Sequence, residues 1–111
     1  MNMDASQYIT VAKVDDFKDE TIRSYSILGK KIGIIKREDG SFHAIEVACK
    51  HQGADLTKGA VQNYIATCHR HQWRYNLLTG ECLNHDSPPL RRYPLILDEN
   101  KTKIALEPLD D

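Results

Sequence analysis

Residues 49–71 read CKHQGADLTKGAVQNYIATCHRH. The segment opens on Cys49-Lys50-His51, runs on for sixteen residues, and closes on Cys68-His69-Arg70-His71. Thiolate and imidazole bind both zinc and iron, so two short Cys/His pairs on separate loops can converge on one metal site. The order within each pair is informative. Zinc fingers commonly pair Cys with Cys and His with His, whereas each pair here supplies one thiolate and one imidazole. Such a set can place both thiolates on one metal and both imidazoles on a second. A structural zinc site, with the metal only for stability, is the competing reading of the same four residues.

The sequence upstream is built of short alternating or β-branched runs with weak helical periodicity. Residues 8–14 (YITVAKV), 21–27 (TIRSYSI), 31–37 (KIGIIKR) and 42–47 (FHAIEV) read as strands. Gly29-Lys30 reads as one turn, and Asp39-Gly40 as a tight hairpin turn with both central residues at positive φ. Residues 49–59 and 68–72 read as polar loops, separated by a short strand at 64–67. Downstream, residues 73–76 and 81–83 form a hairpin across Leu78-Thr79-Gly80. Ser87-Pro88-Pro89 is excluded from a central strand, because proline donates no ladder bond. Residues 95–97 and 103–106 make a last hairpin. Many short strands at close spacing predict an all-β sandwich or small barrel.

Composition agrees with one folded domain. The chain has 111 residues, 41% hydrophobic and 28% charged, with 15 Lys+Arg against 16 Asp+Glu and a net charge of −1. That balance gives nucleic acid nothing to hold in bulk. No apolar run approaches the ~20 residues of a membrane span, and the N-terminus lacks the basic end and apolar stretch of a secretory signal. The expectation is a soluble, cytoplasmic protein. Three cysteines, Cys49, Cys68 and Cys82, are an odd count and a poor disulfide framework. No Gly-rich phosphate loop and no nicotinamide or flavin fingerprint is present.

The stretches VACKHQGADLTKG (47–59) and CHRHQWRYNLLTGE (68–81) resemble the two cluster loops of Rieske iron–sulfur proteins, whose pattern is C-x-H followed by C-x-x-H. HQGADL is similar to the stretch after the first histidine in Rieske oxygenase components, and PLRRYPLILDENKTKIAL to the family's closing strands. The resemblance covers residues 44–107 and implies three stacked antiparallel sheets with the cluster loops at one tip. It implies a single domain over 1–111 with a cluster-binding subdomain at about 46–89. It implies one 2Fe–2S cluster, with Cys49 and Cys68 on the buried iron and His51 and His71 on the outer iron. Trp73, Tyr75 and Pro88 would surround it, Ser87-Pro88-Pro89 resembling the family's covering proline loop.

On this resemblance the chain is a monomeric ferredoxin with no catalytic residues of its own. It would pass single electrons from a flavin-containing reductase to a terminal oxygenase, as in a dioxygenase system. A non-redox subunit of the same fold, like the small subunit of assimilatory nitrite reductase, is the alternative.

Departures from the family carry expectations too. Ala54 and Arg70 stand where some members place a second pair of cysteines, so no loop-to-loop disulfide is expected. Gln72 stands where many members have Gly. Trp73 replaces a Ser that donates to the cluster, while Tyr75 is kept. Hydrogen bonds to cluster sulfur raise the potential, so losing one donor predicts a value toward the low end of the Rieske range of about −150 to +300 mV. Cys82 reads as a packing residue, and His43, His69 and His85 as bystanders. Arg91-Arg92 reads as a solvated pair, with steering of an acidic partner as the alternative.

Overall fold

A computed structural model describes residues 8–18, 21–50 and 53–107. Among these residues, ten strands form three antiparallel sheets. The central sheet has the order β2-β3-β4-β8 and is made of Thr21–Ile27 (β2), Lys30–Lys36 (β3), Phe42–Glu46 (β4) and Arg92–Tyr93 (β8). One outer sheet joins Tyr8–Lys13 (β1) through Lys101–Ala105 (β10) to Leu95–Asp98 (β9). The other, smaller sheet is Ala60–Gln62 (β5), Ile65–Thr67 (β6) and Arg74–Asn76 (β7).

Why the sheets stack in this order follows from the run KKIGIIK in β3. Successive strand residues point to opposite faces. Ile32 and Ile34 enter a core with Ala44, Tyr93 and Ile104, the last from β10. Ile35, from the opposite face of β3, enters a second core with Ala66, Tyr75 and Leu77 of the small sheet and its edge. The central sheet is therefore covered on both faces, and β3 needs isoleucine on both. Each fully buried isoleucine is worth about 1.5–3 kcal/mol. The second core also holds Cys49 and Cys68, so the packing that closes the fold also seats the two cysteines.

All-β architecture and three antiparallel sheets are as expected, and β2 matches residue for residue. Four local readings are corrected. At Asp39-Gly40, Gly40 alone takes positive φ (87°). The Arg37 N–H bonds the Ser41 carbonyl at 2.9 Å, the pattern of a three-residue hairpin loop with a bulge and not of a two-residue turn. The strand read at 64–67 begins at Ile65. Tyr64 instead pairs with Asn63 in a two-residue turn, both at positive φ (63° and 52°), joining β6 to a three-residue strand β5 too short to show in periodicity. Residues 81–83 do not form a strand. They lie beside β7 through a single bridge, Tyr75 to Cys82. Finally, Arg92–Tyr93 is a fourth strand of the central sheet, too short to show in periodicity.

Candidate metal centre

The two cysteine loops leave the small sheet and the end of β4 as closed hairpins. In the first, Ala48 bridges Asp55. The Cys49 N–H donates to the Ala54 carbonyl (2.8 Å), and the Gly53 N–H returns to the Cys49 carbonyl (2.7 Å). In the second, Thr67 pairs with Arg74. The Cys68 N–H donates to the Trp73 carbonyl (2.7 Å), and the Gln72 N–H returns to the Cys68 carbonyl (3.0 Å). Each loop turns back at its fourth residue after cysteine through a left-handed φ, 73° at Gly53 and 64° at Gln72.

Both cysteines are 2% exposed and neither is in a disulfide. The Cys49 side chain lies within hydrogen-bonding reach of the Cys68 thiol. Burial pushes the Cys68 thiol up, but backbone hydrogen bonds from Arg70 and His71 and the Cys49 side chain outweigh it and hold the thiol below its ordinary value. Donors aimed at a buried sulfur are what a thiolate ligand requires. Tyr75 is fully buried, with its hydroxyl 4.0 Å from Cys49 Sγ and accepting from the Lys50 N–H at 3.2 Å. Burial pushes the phenol up to about 12, so it remains a protonated donor across the physiological range.

The remaining residues fall around this floor. His71 and His69 are exposed on the second loop. His51 lies outside the described residues. Trp73 is half-buried, packs against the core of the two cysteines, and stacks on His85 with ring centres 4.3 Å apart. Pro88 is exposed, and its carbonyl accepts from the Ser87 hydroxyl at 3.0 Å. Cys82 is half-buried beside Asn84.

The contacts of two residues went unread in the sequence. Asn84 clamps the second loop, donating to the Gln72 carbonyl (2.9 Å) and accepting from the Arg74 N–H (2.9 Å). Ser87 hydrogen-bonds the Tyr75 hydroxyl and so ties the proline loop to the phenol beside Cys49. Asn-His-Asp-Ser after a strand signals only a polar turn, and the partners lie too far along the chain for spacing to reveal them.

Among the described residues no three His, Cys, Asp or Glu side chains gather tightly enough to hold a single metal ion. Two paired, buried thiols with amide donors, and an imidazole exposed on the adjoining loop, suit a two-metal sulfide cluster better than one tetrahedral ion. No helix among the described residues is long and apolar enough to cross a membrane.

Comparison with known proteins supports the same centre. The family profile for the Rieske [2Fe-2S] domain matches residues 7–94. The ferredoxin component of an alkene monooxygenase system from Xanthobacter autotrophicus is 28% identical over 107 residues, covering 96% of this chain and 87% of that protein. Oxidoreductase NdmD from Pseudomonas putida is 31% identical over 91 residues; the match takes in 78% of this chain and 16% of that longer protein. A chain in the solved complex of reduced oxygenase and oxidized ferredoxin in carbazole 1,9a-dioxygenase superposes with a TM-score of 0.79. It covers 94% of this chain and 97% of its own length at 24% identity, a likeness of fold.

Proposed function

Because this chain belongs to the Rieske [2Fe-2S] domain family, we propose that it serves as the ferredoxin of an oxygenase system, an electron carrier with no substrate chemistry of its own. One 2Fe–2S cluster per chain is the family's cofactor, and it supplies one-electron transfer when bound. The observation that carries the reading is the pair of buried free thiols, Cys49 and Cys68, facing each other at the base of two hydrogen-bonded loops.

Cys49 and Cys68 are assigned as the thiolate ligands, and His51 and His71 as the imidazole ligands at the solvent side. Tyr75 holds a proton 4.0 Å from the Cys49 sulfur, Trp73 closes the base of the second loop, and Pro88 belongs to the covering loop. Residues 46–89 form the cluster-binding subdomain of a single domain. A flavin-containing reductase upstream, a terminal oxygenase downstream, a monomeric state and a cytoplasmic location complete the proposal. Two supports for the oxygenase partner are the name of the Xanthobacter relative and the ferredoxin–oxygenase complex that shares the fold. With Trp73 in place of a hydroxyl donor, the potential falls toward the low end of the Rieske range.

EPR of the purified protein after dithionite reduction tests the assignment. A rhombic signal with an average g well below that of all-cysteine clusters is expected. A colourless protein with zinc, or with no metal, would overturn it in favour of a structural or non-redox module.

A further inference from the structure

A cleft of about 350 Å³ opens beside the first cysteine loop, lined by Lys30, Lys31, Glu46, Ala48, Gly53 and Arg91. Its wall is the loop itself. Lys31 Nζ donates to the Gly53 carbonyl at 3.0 Å, and the Gly53 N–H bonds the Cys49 carbonyl at 2.7 Å. The one carboxylate among the described lining residues is already engaged: Glu46 accepts from Lys50 Nζ (2.8 Å) and from the Arg91 backbone N–H (3.1 Å). The side chains of Lys30 and Arg91 are exposed and make no ion pair with any described residue. Among the described residues the cleft therefore presents an excess of positive charge next to a cysteine ligand.

The charge is segregated along the chain. Residues 21–94 carry eleven Lys or Arg against six Asp or Glu, whereas the end segments 1–20 and 95–111 carry four against ten. The described acids of the end segments sit on the other outer sheet and its turns, where Asp15, Asp16, Asp98 and Glu99 are all exposed. A net charge of −1 thus conceals an excess of positive charge on the central segment that carries the cleft. Fields of this kind steer encounter and set docking orientation more than they set affinity.

We propose that the Lys30–Lys31–Arg91 cleft is a docking surface for an acidic patch on a protein that exchanges electrons with this chain. The proposal rests on the electron-carrier reading and adds the sign and place of the contact. An acidic protein surface fits the three exposed cations, Lys30, Lys31 and Arg91, that line the cleft.

The cluster-loaded protein, reduced with dithionite and freed of it, is mixed in stopped flow with ferricyanide or with the cationic tris(phenanthroline)cobalt(III). Each oxidant takes one electron from the reduced protein. Despite the negative net charge, the ferricyanide rate is expected to fall roughly tenfold as salt rises from low to physiological, and the cobalt rate to rise. The double variant K30E/R91E should reverse both slopes. A wild-type ferricyanide rate that rises with salt, or slopes unchanged in the variant, would overturn the proposal.

Anisotropy of a fluorescein-labelled ten-residue polyglutamate with the oxidised protein gives a readout free of electron transfer. Binding at low salt that is lost in K30E/R91E, and resists inorganic phosphate of equal total charge, is the expected result. Equal displacement by phosphate would make the cleft a small-anion site and end the proposal. An absent EPR signal would instead sink the electron-carrier reading, while the peptide result would still report on the cleft.

Discussion

The two cysteine loops share one hydrogen-bond frame and differ in how it is held. Each cysteine N–H bonds the carbonyl five residues on, each fourth residue returns its N–H to the cysteine carbonyl, and each fourth residue is left-handed. The first loop takes that conformation with Gly53, braced from outside by Lys31 and by the Tyr75 hydroxyl on the Lys50 N–H. The second takes it with Gln72, a residue that pays for positive φ, and is clamped by Asn84. One loop is relaxed and the other strained but tied. The frame is set by backbone closure, and side chains decide only how much each copy needs to be held.

The largest effect is expected where the loops touch. A Cβ on Gly59, at the end of the short helical turn Leu56–Lys58, would collide with the Thr67 carbonyl oxygen and lie 3.3 Å from the His69 nitrogen. Both neighbours are backbone at the base of the second loop, so neither can swing away. Gly59→Ala should cost about 3 kcal/mol, read as a lower urea midpoint with earlier loss of the visible absorbance. If alanine is tolerated within about 0.5 kcal/mol, the loops are independent hairpins and not one unit.

Next comes the clamp. Asn84→Ala removes a donor from the Gln72 carbonyl and an acceptor from the Arg74 N–H. Such bonds contribute about 1 kcal/mol each, less where water can replace them, so a loss of roughly 1–2 kcal/mol is expected. Amide exchange should quicken at Cys68, Gln72 and Arg74 and stay unchanged at Cys49 and Gly53. Equal quickening in both loops would mean that Asn84 supports the whole tip and not the second loop.

How much of this was legible varies with the range of the interaction. The C-x-H and C-x-x-H pairs, the strand runs around them and the retained Tyr75 can be read because their information is local or carried by resemblance. Gln72 could be noticed as a departure from Gly, and its φ of 64° explains why Gly is common there. The equivalence of the loops was hidden because their histidines fall at different spacings and their left-handed residues differ. Asn84, Ser87 and strand β8 depend on contacts across 10 to 49 residues, which no window along the sequence samples. The Asp39-Gly40 hairpin was misread because the dipeptide favours two loop geometries, and the register of β3 with β4 selected the longer.

Opposite substitutions at the two left-handed positions sharpen the contrast. Space is open around Gly53, where a Cβ would meet no heavy atom within 4 Å, so Gly53→Ala should be destabilising through φ alone, by about 1 kcal/mol. Gln72→Gly removes the same strain but loosens the unfolded chain, for a net gain of up to about 1 kcal/mol. Thermal melts of the cluster-loaded protein check the signs. If both variants lose stability, the Gln72 side chain makes a contact that outweighs its backbone strain.

The smallest effect separates the loops by chemistry. The first loop leaves through Asp55, whose carboxylate accepts from the Thr57 N–H (2.8 Å), the Thr57 hydroxyl (2.6 Å) and the Ser24 hydroxyl (2.9 Å). Burial pushes this carboxyl up, but the Thr57 and Ser24 hydrogen bonds and the Lys31 charge outweigh burial and hold it below its ordinary value. A carboxylate favoured in the folded state contributes stability that is present above its unfolded pKa of about 3.9 and is lost as pH falls through the lower folded value. The exit of the second loop is held by the Asn84 amide, which does not titrate. Below about pH 4, amide exchange should therefore rise at Thr57 and Cys49 before it rises at Cys68 and Arg74. Solvent screens this half-exposed group, which keeps the effect small. Asp55→Asn should abolish the difference in onset between the loops. If the loops still open in the same order in that variant, the acid sensitivity lies in another group and Asp55 is only a cap.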